Sequence, residues 1–126
     1  MLNLGVRQLL AVTLLLCLMS GQANTAVSHI VFIWANQSAS QKDITAMISN
    51  AEILSKINGV TSMKVGTAVP SDRSSVDDSY DVGITLSFDT VDAMQAYLEH
   101  PEHIKYVSTY VKPYAEALLV YDIEHN

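Results

Sequence analysis

The sequence predicts an α+β domain, one antiparallel sheet with helices packed on a single face. Three observations predict it. Four stretches rich in β-branched and aromatic residues are separated by stretches whose apolar residues recur every three or four positions. Their order is strand, helix, strand, strand, helix, strand, for which one sheet under one helical layer is the economical packing. In Tyr80–Phe88 the residues Tyr80, Val82, Ile84, Leu86 and Phe88 alternate with Asp81, Gly83, Thr85 and Ser87, so one strand face is apolar.

The first strand is expected at Val27–Ala35, "VSHIVFIWA", apolar on both faces and therefore covered on both. Ser38 to Ser40 supply N-cap candidates, with Gln41 as capping-box partner of Ser38. Ile44, Met47, Ile48, Ala51, Leu54 and Ile57 then form one helical stripe, which Asn58-Gly59 ends. A second strand is expected over Val60–Val69, followed by an exposed loop, "PSDRSSVDDS", over Pro70–Ser79. After the third strand, Thr90 caps a short helix bearing Val91, Met94, Tyr97 and Leu98. Pro101 suits the first turn of a further helix and holds His100 outside it. That helix carries Ile104, Val107, Tyr110 and Val111 as far as Pro113. Ala117–Ile123, "ALLVYDI", is the last strand, which completes a ferredoxin-like βαββαβ plan. Such a sheet has one open face. With about 100 residues available for a core, a second copy covering that face is expected, a homodimer through the sheet.

Residues 1–23 read as a secretory signal: Arg7 in the n-region, an apolar run from Leu9 to Met19, and Gly21-Gln22-Ala23 as the cleavage site. Eleven residues are too few to span a bilayer core of about 20, so no stable membrane insertion is expected after cleavage. Leu14-Leu15-Leu16 before Cys17 do not fit a lipidation site, and Cys17 reads as a small hydrophobe within the signal. The expected organisation is a signal peptide over 1–23 and one domain over 27–124, exported to a periplasm or secreted. The mature chain then has no cysteine and no need of a disulfide. It keeps six basic and 13 acidic side chains, a formal net charge of −7. That charge argues against nucleic acid and anionic membrane surfaces as partners.

Chemistry-bearing residues gather in "YLEHPEHIKYVSTYVKPY", Tyr97–Tyr114. An imidazole such as His103 gives or takes a proton near neutrality. Tyr97 lies six residues before it, across the Pro101 turn. Two readings of His103 stand: a general base, or a core histidine bonded to a tyrosine or a backbone carbonyl. His100 reads as a helix-starting residue. Pro101 denies His100 and His103 a regular helical spacing, and no third ligand follows at a familiar distance, so no metal is expected. His29 shares a strand face with Val31 and Ile33, and Trp34 lies on the opposite face, toward a partner subunit. Tyr106, Tyr110 and Tyr114 form a helical stripe of the packing or interface kind. Asp72, Asp77 and Asp78 lack the spacing of a calcium loop. There is no phosphate-binding glycine loop and no G-x-S-x-G turn.

Taken in order, "HIVFIW", "GVTSMKVG", "YDVGITLSFDT", "AYLEHPEH", "YVKP" and "LLVYD" resemble the stress-responsive α/β-barrel (Dabb) family over roughly His29 to Asp122. The resemblance implies ferredoxin-like monomers pairing through their sheets into a dimeric α/β barrel, with higher assemblies in some members. Most members have no assigned reaction. One type, similar to a plant polyketide cyclase, closes a linear polyketide by aldol condensation without metal or organic cofactor. By that resemblance the second histidine of His-Pro-x-His, His103, is the base, Tyr97 assists it, and His29 lines the pocket. The pocket so implied comprises His29, Val31, Val82, Ile84 and His100. Val82 stands where the cyclase type has a histidine, which counts against polyketide cyclisation itself. Two functions are therefore expected. One is a stress-related module that binds a small hydrophobic ligand or protects. The other is a cofactor-free enzyme with His103 as base and Tyr97 at the developing oxyanion.

Overall fold

The computed structural model describes residues 25–126. The expected signal segment, with Cys17, lies outside the described residues. No helix among the described residues is long and apolar enough to cross a membrane.

Strand β1 spans Ala26–Ala35, β2 Val60–Gly66, β3 Val82–Phe88 and β4 Ala115–His125. They form one antiparallel sheet in the order β2-β3-β1-β4. Helices α1 (Gln41–Asn50) and α2 (Glu52–Ser55) connect β1 to β2. Helices α3 (Val91–Leu98) and α4 (Pro101–Tyr106) connect β3 to β4, and α4 continues as a π-helical turn over Val107–Val111. The α+β, ferredoxin-like expectation holds.

The alternation of β3 translates directly into packing. Val82, Ile84, Leu86 and Phe88 are buried beneath Met47, Ala51, Leu54 and Ile57 of the first helical segment and Met94 and Tyr97 of α3. Each fully buried aliphatic side chain of this kind contributes about 1.5–3 kcal/mol. Gly59 turns the chain from α2 into β2 at φ +97°, the left-handed region that disfavours a side chain.

Several boundaries differ from expectation for identifiable reasons. The N-cap of α1 is Ser40, not Ser38. Ser38 donates its N–H and its hydroxyl to Asn36 Oδ1 in a local turn, at 3.0 and 2.7 Å. Ser40 N–H instead donates to Asp43 Oδ2 at 2.8 Å, and Asp43 N–H to Ser40 Oγ at 3.3 Å, which completes a capping box. β2 stops at Gly66, which pairs with Gly83, so Thr67 to Val69 have no partner strand. β3 begins at Val82 because Asp81 turns its carboxylate to accept the Ala35 N–H at 2.7 Å. Tyr80 therefore leaves the buried face and stacks on Phe32 on the open side, ring centroids 4.7 Å apart. In α4, Ile104 is exposed and Tyr106 takes the buried position.

The far side of the sheet carries no helix. Leu119, Tyr121 and Ile123 of β4 are exposed there, beside half-buried Ile30, Phe32 and Trp34 of β1.

Candidate functional site

A cavity of about 210 Å³ lies between the helical face of β1, β3 and β4 and the segment α3–α4–π turn. Most of its wall is apolar, including Val31 and Ile84 from the sheet and Leu118 and Val120 from the edge strand. Four polar side chains reach it: His29, Tyr97, His103 and Tyr106.

Local sequence explains how they meet. His29 belongs to the same face of β1 as Val31 and Ile33, and that face lies under the helices. Tyr97 comes one residue before the end of α3. His100, extended at φ −68° and ψ 135°, accepts the Glu102 N–H on Nδ1, and Pro101 opens α4 behind it. This break redirects the chain, so His103 returns over Tyr97 with ring centroids 4.6 Å apart. The His103 Nδ1–H donates to the Leu98 carbonyl at 3.0 Å, across the break. His29 approaches Tyr97 from the sheet side, edge to face at 6.0 Å.

His29 is 5 % exposed, and Asp122, directly opposite it on β4, accepts its Nδ1–H at 2.6 Å. That contact occupies Nδ1, and Nε2 has no hydrogen-bond partner among the described residues. Tyr106 donates its hydroxyl to the Met47 carbonyl at 2.7 Å and is thereby spent on structure. Among the described residues no side-chain polar atom is both sealed from solvent and unpartnered. Tyr97 Oη, His29 Nε2 and His103 Nε2 have no hydrogen-bond partner among those residues, so they must open onto accessible space. The cavity is the space these residues share.

Burial sets the proton states. Desolvation pushes the Tyr97 phenol well above its ordinary range, with Tyr106 adding to the effect, so its proton stays on. Desolvation lowers His103 below its ordinary 6.5, and His29 acts in the same sense, against a raising contribution from the Leu98 carbonyl. A neutral imidazole, an un-ionised phenol and a second imidazole thus face an apolar space. They can accept and donate hydrogen bonds there and move a proton to or from a carbonyl-bearing molecule.

Of the residues expected at the site, His29, Val31, Ile84, Tyr97 and His103 line the cavity. Val82 does not: it is fully buried against the first helical segment. His100 does not either, because its ring caps α4. Leu118, Val120 and the π-turn residues Val107 and Val111 also line it and were not expected there, nor was the contact of Asp122 with His29. Asp122 shows in the sequence only as the one acid within the apolar run Ala117–Ile123, which does not place it opposite His29. No three metal-ligating side chains among the described residues come close enough to hold an ion.

This architecture defines a class: a ferredoxin-like sheet with a polar-tipped apolar cavity under its helices. The chain belongs to the stress-responsive A/B barrel (Dabb) family, whose model matches residues 27–125. No curated protein is similar to it in sequence. Among solved structures it resembles a hydroxynitrile lyase from Passiflora edulis, at 22% identity and TM-score 0.71, over 82% of this chain and 95% of that one. It also resembles a Dabb protein from Mesorhizobium loti, at 24% identity and TM-score 0.65, over 79% of this chain and 95% of the other. A dimeric ferredoxin-like protein of unknown function from Thermobifida fusca is similar at 18% identity and TM-score 0.68, over 80% and 92% of the two chains.

Proposed function

We propose that this protein is an exported Dabb homodimer, stress-related or protective, whose cavity binds a small, largely apolar molecule bearing a hydroxyl or carbonyl group. The observation that carries the reading is the convergence of Tyr97, His29 and His103, each with a polar atom unpartnered among the described residues, on one apolar space. An apolar cavity of about 150 Å³ accommodates benzene, so about 210 Å³ suits a compact ring with a polar substituent. Homodimerisation is supported by the apolar strip Phe32, Trp34, Leu119, Tyr121 on the uncovered sheet face and by dimeric structural neighbours. Export rests on the signal-like pattern of residues 1–23 and predicts a mature chain that begins at Asn24.

The test is a thermal-shift screen of small aromatic aldehydes, ketones and phenols against wild type and Tyr97→Phe. Stabilisation of wild type that Tyr97→Phe loses supports the cavity. Stabilisation that survives in Tyr97→Phe unchanged places the ligand elsewhere.

A second reading is a cofactor-free enzyme. The lowered pKa of His103 favours it, since a neutral imidazole at neutral pH is a competent base. One structural neighbour is a hydroxynitrile lyase, which supports an enzymatic reading of the cavity. In this reading His103 Nε2 takes a proton from a hydroxyl, or from carbon next to a carbonyl, and the Tyr97 hydroxyl hydrogen-bonds the oxygen that becomes negative.

A further inference from the structure

One wall of the cavity is an edge strand. In the order β2-β3-β1-β4, β4 pairs with β1 alone and its outer edge is free. Leu118 and Val120 line the cavity from β4, yet they are 49 % and 38 % exposed, whereas Ile33, Ile84 and Tyr97 of the same lining are buried. The mouth therefore lies between β4 and the half-buried Leu98, His103 and Val107. On the other face of β4, Leu119, Tyr121 and Ile123 are exposed as well. An uncharged run such as Ala117–Tyr121 in the middle of a free edge is what native proteins cover or interrupt with charge. A second copy packed flat on the open face would cover Leu119 and Tyr121 and leave Leu118 and Val120 bare, because neighbouring residues of a strand point to opposite faces.

A complementary segment exists on the same molecule. Outside β4 and the helices, the exposed large apolar side chain among the described residues is Val69, at 78 %. It ends the stretch Thr67–Val69, which follows β2 without a partner strand. β2 also holds the other free edge of the sheet. It runs antiparallel to β4, because β1 and β2 both pair antiparallel with β3, and β4 pairs antiparallel with β1. A two-fold axis along the strands therefore sets the β4 edge of each copy against the β2 edge of the other, in the sense that antiparallel pairing needs, and closes both free edges at once.

We propose that a second copy completes the cavity: the partner subunit's Thr67–Val69 segment lies along β4 over Leu118 and Val120 and closes the mouth, so ligand binding and dimerisation are coupled. The inference rests on the dimer and the ligand cavity of the proposed function, and adds which segment of the second copy reaches the site. A ligand that needs the closed mouth binds dimer better than monomer, and it strengthens the dimer by the same factor.

Disulfide trapping tests the contact. Cys17 is the chain's single cysteine. In a Cys17→Ser background, Val69→Cys is combined with Leu118→Cys or with Val120→Cys, and the oxidised full chain is run on non-reducing electrophoresis. At least one pair should give a covalent dimer, and no single-cysteine variant should. A covalent dimer from Val69→Cys alone would align two β2 edges, and one from Leu118→Cys or Val120→Cys alone would align two β4 edges. Either result overturns the proposal, as do disulfides confined to single copies or no cross-link in either pair. Titration with phenol and benzaldehyde tests the coupling. Val69→Glu should give monomer and weaken the binding of either probe by about tenfold. Equal binding by monomer and dimer leaves the cavity reading standing and overturns the shared mouth. Cross-links in a wild-type-like dimer that binds neither probe contradict the ligand reading and uphold the partner segment at the mouth. Should Val69→Glu not fold, the disulfides decide.

Discussion

Tyr97 and His103 are six residues apart in sequence, yet their rings pack with centroids at 4.6 Å. A continuous helix would separate them by nearly two turns, about 9 Å along its axis. The break at Glu99-His100, with Pro101 starting α4, removes that separation. The pair therefore depends on the helix break as much as on the two side chains.

Tyr97→Phe should leave stability within about 1 kcal/mol of wild type, because the hydroxyl it removes has no hydrogen-bond partner among the described residues. Ligand binding should weaken. Tyr97→Ala should instead cost about 3–5 kcal/mol, since the ring is fully buried against Phe88. Chemical denaturation of the two variants checks both.

His103 makes stability depend on pH in a defined direction. Its pKa is lowered in the folded state, so the unfolded chain binds its proton more readily. Stability should be full above the ordinary value of 6.5, fall as pH drops below it, and level off once the folded-state pKa is passed. His103→Gln should flatten that part of the profile, measured as denaturation midpoints against pH. An unchanged slope would show that His103 does not contribute it.

Pro101→Ala should test the helix break. His100 then loses the steric reason to stay extended, and α3 and α4 gain freedom to join. The expected result is loss of ligand binding larger than the loss of stability, compared by calorimetric titration and thermal melting.

Gly59→Ala should destabilise by roughly 1–2 kcal/mol, since a side chain at positive φ is strained. The added Cβ would also lie 3.3 Å from the Ala93 Cβ. Urea unfolding measures the difference.

On the open face, Tyr121→Glu places a charge within the apolar strip beside Phe32 and Leu119. Sedimentation should show wild type as a dimer and the variant shifted toward monomer. A wild-type monomer at micromolar concentration would contradict the dimer.

Much of the fold was legible because its signals are local. The alternation from Val82 to Phe88 marks a half-buried strand wherever it occurs, and Thr90 and Pro101 act within one turn of themselves. The failures were contests between neighbours. Ser38 and Ser40 are chemically equal candidates, and the choice fell to Asn36 and Asp43. Tyr80 fits the alternation, but the side chain of Asp81 ends the ladder first. Of the polar side chains that line the cavity, Tyr97, His103 and His29 were legible. Asp122 was not, because its role requires the register that sets it opposite His29, 93 residues away in sequence. The π turn over Val107–Val111 was equally hidden, since no residue type announces it.

The most direct test of the central claim is native mass spectrometry of the protein purified gently from its own cells. The account predicts a dimer carrying an additional small mass, absent from the Tyr97→Phe, His103→Ala double variant. A dimer whose extra mass persists in that variant, or an empty protein that takes up none of the screened aldehydes, ketones and phenols, would contradict it.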